Sequence, residues 1–227
     1  MTTIAVVSAG LSEPSSTRLL ADRLAASAVA AIEQGRTGVT RSATTRSVVR
    51  GTPTELAREG TRVVHVDLRP LAHEIIDAML TGFQAPALAA ATAAVVEADA
   101  LVFVSPIFTA GMSGLAKSFL DVMDKDALAD MPVLLGATGG TARHSLALEH
   151  AMRPVFAYLR AAVVPTGVFA ATDDWGTQGD QAALDGRIRR AGTDLAWAIG
   201  ASRRSPQEAD ALPEVQDFAS LLGGLGH

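Results

Sequence analysis

The chain has 227 residues and a formal net charge of −5, and 48% of its residues are hydrophobic while only 4% are aromatic. This length suits one α/β domain with an insertion or a tail, and the core must be built mainly from Ala, Val and Leu. The acidic balance argues against nucleic acid as the main partner, and the lack of cysteine excludes disulfides, thiolate chemistry and iron–sulfur clusters.

Predicted strands and helices alternate along the chain. Continuous apolar runs, which are typical of strands buried on both faces of a sheet, occur at residues 4–7, 63–66, 101–106, 132–138 and 163–170. Helical spacing of apolar residues predicts helices over residues 18–32, 68–79, 87–98, 112–124, 144–162 and 181–199, the fifth of them interrupted early by Pro154. This alternation predicts an α/β fold, in which a parallel sheet is covered by helices on both faces.

Two segments depart from this alternation. Residues 34–60 are rich in Arg, Thr, Ser and Gly, and we interpret them as an irregular insertion with a short helix near residues 53–59. The arginines of this insertion either form a solvated face or contact a phosphate-bearing ligand or a partner. Residues 205–227 form a C-terminal tail with helical potential at 208–222, so that residues 1–204 make up the predicted domain.

The turn after the first predicted strand is a candidate anion site. In an open parallel sheet, ligands bind beyond the carboxyl ends of the strands. This turn is rich in hydroxyl side chains and ends at the start of a predicted helix, where free N–H groups attract anions. Because it lacks the lysine of a nucleotide phosphate loop, we predict a phosphate monoester held by neutral donors, with an ordinary N-cap cluster as the alternative. The candidate residues are Ser8, Leu11, Ser15, Ser16 and Thr17.

The turns after the third and fourth predicted strands offer surfaces suited to a flat ring. The first of them combines an apolar wall with glycines, which let the backbone approach a ligand closely. The second contains a pair of glycines followed by a hydroxyl side chain. Each also has a simpler interpretation, as a plain strand-to-helix connection or a glycine turn. The candidate residues are Pro106, Ile107, Phe108 and Thr109 in the first of these turns and Gly139, Gly140 and Thr141 in the second.

Several other chemistries lack support in the sequence. A nucleophile elbow is not present, and the histidines are too scattered to form a metal site, so we predict neither a catalytic side chain nor a metal. No uninterrupted apolar run reaches the about 18 residues of a membrane span. The first residues lack the charged and apolar regions of a signal peptide, so we expect a cytoplasmic protein that binds no membrane.

The stretch at residues 105–121, SPIFTAGMSGLAKSFLD, resembles the signature P-x-[YF]-x-x-x-x-[SP]-G-x-x-K-x-x-x-D of the NAD(P)H-dependent FMN reductase family. The first turn is similar to the phosphate loop of that family, and ATGGTARHS to its flavin-edge loop. Residues 153–176 are closest to an actinobacterial branch that supplies reduced flavin to luciferase-like monooxygenases. The resemblance implies a flavodoxin-like, doubly wound sheet of five parallel strands in the order 2-1-3-4-5.

The resemblance also implies the function. It assigns FMN phosphate to residues 15–17, the isoalloxazine ring to 106–109 and the pyrimidine edge of the ring to 139–141. The implied reaction is hydride transfer from NADPH or NADH to the flavin, which supplies the chemistry itself. It further implies a homodimer or homotetramer, in which the helix carrying Lys117 and Asp121 packs against another subunit. One departure is the absence of the arginine that follows Gly-Ser in many members; Arg18 is the candidate replacement.

Three alternatives remain open at the level of sequence. A quinone or azo reductase with tightly bound FMN would use the same scaffold. A flavodoxin that carries single electrons is disfavoured, because such carriers are usually shorter and more acidic. An interaction protein that has lost flavin binding is the third alternative. The sequence does not decide between NADH and NADPH, and it does not say whether FMN stays bound or leaves.

Overall fold

The computed structural model describes residues 1–37, 54–58 and 60–204. The C-terminal tail at 205–227, and with it the predicted helix at 208–222, lies outside the described residues, as does most of the insertion at 34–60. The described strands are β1 Thr2–Ser8, β2 Thr54–Arg58, β3 Thr61–Asp67, β4 Ala100–Phe108, β5 Gly111–Met112, β6 Pro132–Gly139, β7 Ala162–Val163 and β8 Val168–Ala171. The α-helices are α1 Ser16–Thr37, α2 Ala72–Thr81, α3 Pro86–Val96, α4 Gly114–Asp121, α5 Arg153–Tyr158 and α6 Gln178–Ala201.

The sheet has the order β2-β3-β1-β4-β6-β7, with β8 also paired to β6 and β5 paired to β4. The pairs β3–β1, β1–β4, β4–β6, β6–β7 and β6–β8 are parallel. The predicted strand order 2-1-3-4-5 is therefore confirmed for the parallel strands, and the fold is flavodoxin-like. The fifth position is shared by two short pieces, because Pro165 and Gly167 interrupt the run predicted as one strand at 163–170.

The helix predicted near residues 53–59 is wrong. Residues Thr54–Arg58 instead form β2, which pairs antiparallel with β3 from Thr54 opposite His65 to Arg58 opposite Thr61. The residues of this segment favour a helix by local propensity, but the edge of β3 offers unpaired backbone groups to the chain that folds back on it. The pairing adds an edge strand that the five-stranded prediction lacked.

The helix predicted over residues 144–162, with an early interruption at Pro154, is shorter and less regular than predicted. The chain forms a 3₁₀ turn at Ala142–His144, a π-helical turn at Leu148–Met152 and then α5. Pro154 explains the change from the π-helical turn to α5, since it has no N–H and its ring clashes with a carbonyl of the preceding helical turn. The helix can restart only where the proline occupies its first turn, as it does in α5.

Alternate residues of the central strands pack against opposite helical layers. Ile4 and Val6 of β1 join a core cluster with α1 and α6, whereas Ala5 and Val7 join a second cluster with α2, α3, α4 and α5. Both faces of the sheet are thereby covered, as the continuous apolar runs predict. In the part of the chain that the structure describes, no single helix is long and apolar enough to cross a membrane; only the bent pair 69–81 and 86–96 meets the length and composition criteria.

Candidate functional site

The three turns identified from the sequence lie at one edge of the sheet. Ser8 at the end of β1 pairs with Val104 of β4, and Pro106 near the end of β4 pairs with Thr138 of β6. Because these strands are parallel, their carboxyl ends point to the same edge. We call the segments at this edge the first turn (residues 8–17), the second turn (106–113) and the third turn (139–145).

The first turn places helix donors at this edge. Ser15 caps α1, since its Oγ accepts a hydrogen bond from the Arg18 N–H at 3.2 Å. The N–H groups of Ser16 and Thr17, in the first turn of α1, have no acceptor within the helix. Ser16 is exposed, as is Leu11 with 49% of its surface accessible, whereas Ser8 is buried. The site at the start of α1 therefore consists of backbone N–H groups and hydroxyls, which are donors suited to an anion.

Thr17 connects the first turn to β6. Its hydroxyl oxygen lies 2.8 Å from that of Thr138, and both side chains are buried. This hydrogen bond joins residues 121 positions apart in the sequence. It fixes the start of α1 directly beside the strand that leads into the third turn. Thr17 therefore positions the site, and its hydroxyl is already engaged within the protein.

Arg18, the candidate replacement for the missing phosphate arginine, is held by two carboxylates. Its Nε lies 2.7 Å from Asp22 Oδ1, and its Nη1 donates to Asp67 Oδ2. His65 lies beneath this cluster, with Nδ1 3.4 Å from Asp22 Oδ1. Burial, and secondarily the Arg18 charge, lowers the pKa of His65. The arrangement leaves Arg18 neutralised from two sides rather than free to approach a phosphate.

The second turn is a tight β-hairpin, and so it is not the plain strand-to-helix connection that was its simpler interpretation. Ile107 pairs with Met112 and Phe108 with Gly111, so Thr109 and Ala110 are the two loop residues. Both have positive φ, 48° and 64° respectively. Two such residues match a type I′ turn, which normally contains Gly or Asn, and a β-branched residue there is strained. Strain of this kind is concentrated at functional sites.

The wall predicted from residues 106–108 is divided between the core and the surface. Pro106 and Ile107 are buried, and Ile107 belongs to the core cluster formed with α2, α3, α4 and α5. Phe108 is 50% exposed. The hairpin thus presents Phe108 as its apolar surface at this edge, while Ile107 supports the hairpin from within.

Two serines that the sequence reasoning missed hold the hairpin in place. The buried Ser105 hydroxyl donates to the Pro106 carbonyl at 2.8 Å and accepts from the Ser113 N–H at 3.0 Å. Ser113 in turn caps α4 by accepting from the Ala116 N–H at 3.2 Å. The position of Ser113 directly before a helix was a usable N-cap signal, whereas the Ser105 contact depends on the hairpin itself.

The third turn is open to solvent. Gly140, Thr141 and all residues through Leu146 are exposed, and a Cβ added to Gly140 would have no heavy atom within 4 Å. By contrast, a Cβ on Gly139 would lie 2.8 Å from Cζ of Phe169. The Thr141 hydroxyl accepts from the Arg143 N–H at 3.2 Å and so stabilises the 3₁₀ turn. The backbone at Gly140 is therefore accessible to a ligand.

The polar residues of α4 and of the turn after it lie outside this group of three turns. Lys117 and Asp121 form an exposed ion pair of 2.6 Å along α4. Asp124 accepts from the Asp126 N–H at 2.8 Å near the end of this helix, in a local turn. Within residues 1–37 and 60–204, no group of three or more acidic or histidine side chains is spaced to hold a metal ion.

Comparison with known proteins gives a consistent set of matches. The family model described as NADPH-dependent FMN reductase matches residues 2–176. An FMN reductase (NADPH) from Pseudomonas aeruginosa is 44% identical over 101 residues, which are 44% of this chain and 54% of that protein. The NADH-dependent FMN reductase SfnE from Pseudomonas putida is 42% identical over 106 residues, 46% of this chain and 57% of that protein. The chain therefore spans little more than half the length of these curated relatives.

One solved structure is similar over nearly the whole fold. An oxidoreductase from Corynebacterium diphtheriae is 39% identical, with a TM-score of 0.76. The match covers 89% of this chain and 98% of that one. The similarity thus extends beyond the segments aligned with the curated relatives.

Proposed function

Because this chain belongs to the NADPH-dependent FMN reductase family, whose model matches residues 2–176, we propose that it oxidises NAD(P)H and reduces FMN. The observation that carries this proposal is the hydrogen bond of 2.8 Å between Thr17 and Thr138. It brings the helix start at the first turn beside the open backbone of the third turn. A ligand with an anionic end and a flat ring fits that pair of surfaces.

The donor set at this edge suits FMN. The N–H groups of Ser16 and Thr17, with the exposed Ser16 hydroxyl, would hold the phosphate monoester through neutral donors. Phe108 would contact the isoalloxazine ring, and the accessible backbone at Gly140 would meet its polar edge. When bound, FMN supplies the hydride-accepting chemistry. The chain orients the ring, and its exposed third turn leaves room for the nicotinamide nucleotide.

FMN is proposed to exchange with solvent as a substrate. Arg18, the candidate replacement for the missing phosphate-binding arginine, is held by Asp22 and Asp67. A phosphate bound without a cation lacks the ion pair and the bidentate hydrogen bonds that a free arginine would add, so FMN is held less strongly. A flavin that leaves after reduction suits delivery to a separate monooxygenase, which is the proposed destination of the reduced FMN.

A homo-oligomer is proposed to form through α2. This helix buries Ile75 and Ala78 on one face. Its exposed side carries Ile76, Met79 and Leu80, and Phe83 follows the helix; Leu80 and Phe83 are 81% and 79% exposed. An apolar stripe of this size on the outer face of a helix is typical of an association surface. We therefore assign self-association to this stripe on α2, with a second copy of the chain as the occupant. This differs from the resemblance, which implies contact through α4 and its exposed pair Lys117 and Asp121.

The test is steady-state oxidation of NADPH and of NADH by the purified protein as free FMN is varied. The proposal expects oxidation that depends on FMN and saturates with it. Gel filtration after reduction then distinguishes the reductase from a quinone or azo reductase, because flavin elutes apart from the protein only if it exchanges. No oxidation of either nucleotide at any FMN concentration would contradict the proposal.

A further inference from the structure

Arg143 lies in the third turn, three residues beyond Gly140. We propose that its guanidinium recognises the 2′-phosphate of NADPH, an inference that rests on the nucleotide oxidation proposed above. The family comparisons include one relative named for NADPH and another named for NADH, so the choice of nucleotide differs between relatives. In this chain, we assign the preference between NADPH and NADH to the side chain of Arg143.

The backbone of Arg143 is held by hydrogen bonds, whereas its guanidinium has no partner among the described residues. Its N–H donates to the Thr141 hydroxyl at 3.2 Å, and it lies within the 3₁₀ turn Ala142–His144. The next residue continues the turn, with the His144 N–H bonded to the Thr141 carbonyl at 3.4 Å. Arg143 is exposed, and no carboxylate or carbonyl of the described residues accepts a hydrogen bond from its guanidinium.

The other arginines described near this edge are already paired. Arg18 is held by Asp22 and Asp67, as described above. Arg69, after β3, lies 3.6 Å from a Glu13 carboxylate oxygen. Arg187 forms an ion pair with Asp174, which follows β8, and donates a hydrogen bond of 2.7 Å to the carbonyl of Phe169 within β8. These pairs leave Arg143 as the described arginine at the edge whose charge is uncompensated.

The surroundings of Arg143 favour a phosphate over a ribose hydroxyl. A nucleotide-binding protein selects NADH with a carboxylate that accepts from the ribose 2′-OH, whereas an arginine accommodates the 2′-phosphate of NADPH. Residues 139–148 contain no Asp or Glu. The next acid, Glu149, accepts two hydrogen bonds from Arg153, at 2.6 and 3.1 Å, and these lower its pKa. The third turn therefore offers a cation and no carboxylate to compete for it.

The direct test measures binding without flavin turnover. Calorimetric titration of the purified protein compares adenosine 2′,5′-bisphosphate with adenosine 5′-monophosphate, for the wild type and for Arg143→Gln, Arg143→Lys and Arg69→Gln. We expect the wild type to bind the bisphosphate more tightly than the monophosphate. Arg143→Gln should lower the affinity for the bisphosphate about tenfold, and Arg143→Lys should lower it less. Arg69→Gln removes the same charge from the same edge, so it should keep the preference if recognition, not long-range attraction, is responsible.

The kinetic counterpart is the ratio of kcat/KM for NADPH to that for NADH. Arg143→Gln should lower the ratio about tenfold through KM for NADPH, with kcat and the NADH parameters unchanged. Three results would overturn the inference while leaving flavin reduction intact. The wild type could use NADPH and NADH equally well, Arg143→Gln could leave the ratio of kcat/KM values unchanged, or Arg69→Gln could lower that ratio as much as Arg143→Gln does. Selective binding of the bisphosphate through Arg143 without any turnover would instead support the inference and contradict the proposed reaction.

Discussion

Ser15 packs over Gly10 so closely that a Cβ at Gly10 would overlap the Ser15 hydroxyl oxygen and lie 3.2 Å from Cβ of Thr17. The absence of a side chain at Gly10 thus permits the folded path of the first turn and the capping of α1 by Ser15. Ser15 is followed in the chain by Ser16 and Thr17, the two residues that we propose bind the phosphate. Their positions therefore depend on this close contact between Gly10 and Ser15.

Gly10→Ala should therefore weaken FMN binding. The new methyl group displaces Ser15 and disturbs the start of α1, and we expect the dissociation constant to rise about tenfold, equivalent to about 1.4 kcal/mol. Fluorescence titration of FMN measures this change. Gly200→Ala, at a helical glycine whose added Cβ would meet no heavy atom within 4 Å, is the matched control. Equal affinity in wild type and Gly10→Ala would contradict the assigned phosphate site.

The strained hairpin predicts a substitution that stabilises the protein. Ala110 has a φ of 64°, which favours glycine, so Ala110→Gly should raise the free energy of unfolding by about 1 kcal/mol. The same change at Ala89, an exposed position within α3, should lower it by about 1 kcal/mol. Urea denaturation of both variants measures the two effects. Destabilisation by both would show that Ala110 does not carry the strain.

The buried His65 predicts a dependence of stability on pH. Burial and the nearby Arg18 lower its pKa in the folded state, so the unfolded chain binds the proton more readily. The resulting stability is fully present above the ordinary value of 6.5 and is lost as pH falls through the folded pKa. Between about pH 7.5 and about pH 5.5, the wild type should thus lose more stability than His65→Gln.

Urea midpoints at both pH values measure this difference, and His150→Gln, at an exposed position, is the control that should behave as the wild type does. The carboxylates of Asp22 and Asp67 act in the opposite direction on the His65 pKa but are outweighed by burial and Arg18. Identical acid sensitivity in the wild type and His65→Gln would show that His65 does not cause the loss.

The apolar stripe on α2 predicts the oligomeric state. A double variant, Leu80→Glu with Phe83→Ser, places polar groups on a surface that the proposed subunit contact buries. Sedimentation should show a smaller species than for the wild type, with unchanged helix content by circular dichroism. Replacement of Tyr158 by Ser, also at an exposed apolar position but outside α2, should leave the assembly intact. A wild-type monomer, or a double variant that assembles normally, would contradict the assignment.

The sequence pattern was sufficient to predict a parallel sheet covered on both faces, and the family resemblance supplied the strand order, but neither predicted the local contacts at the site. Continuous apolar runs such as that of β4 identify buried parallel strands, since both faces must be covered. The hairpin at Thr109 and Ala110 was missed because its usual signal, Gly or Asn at positive φ, is absent. The contact between Thr17 and Thr138 was also missed, because it joins distant parts of the chain and has no local signature.

The edge strand β2 shows a second limit of sequence reasoning. Its residues, Thr54–Arg58, include helix-forming side chains, and only the unpaired edge of β3 makes the extended backbone favourable. Helix starts were more accessible, because a capping serine such as Ser15 acts on N–H groups nearby in sequence. Helix starts could be predicted because they depend on residues that are neighbours in the sequence. The central strands could be predicted because both faces of the sheet are buried.

The most direct test of the flavin site is titration of the flavin-free protein with FMN, followed by the quenching of flavin fluorescence. The structure predicts saturable binding with one FMN per chain, and weaker binding of riboflavin, which lacks the phosphate that the start of α1 would hold. Failure of the folded protein to bind FMN, or equal affinity for both flavins, would contradict the proposal that the three turns form a site for a phosphorylated flavin.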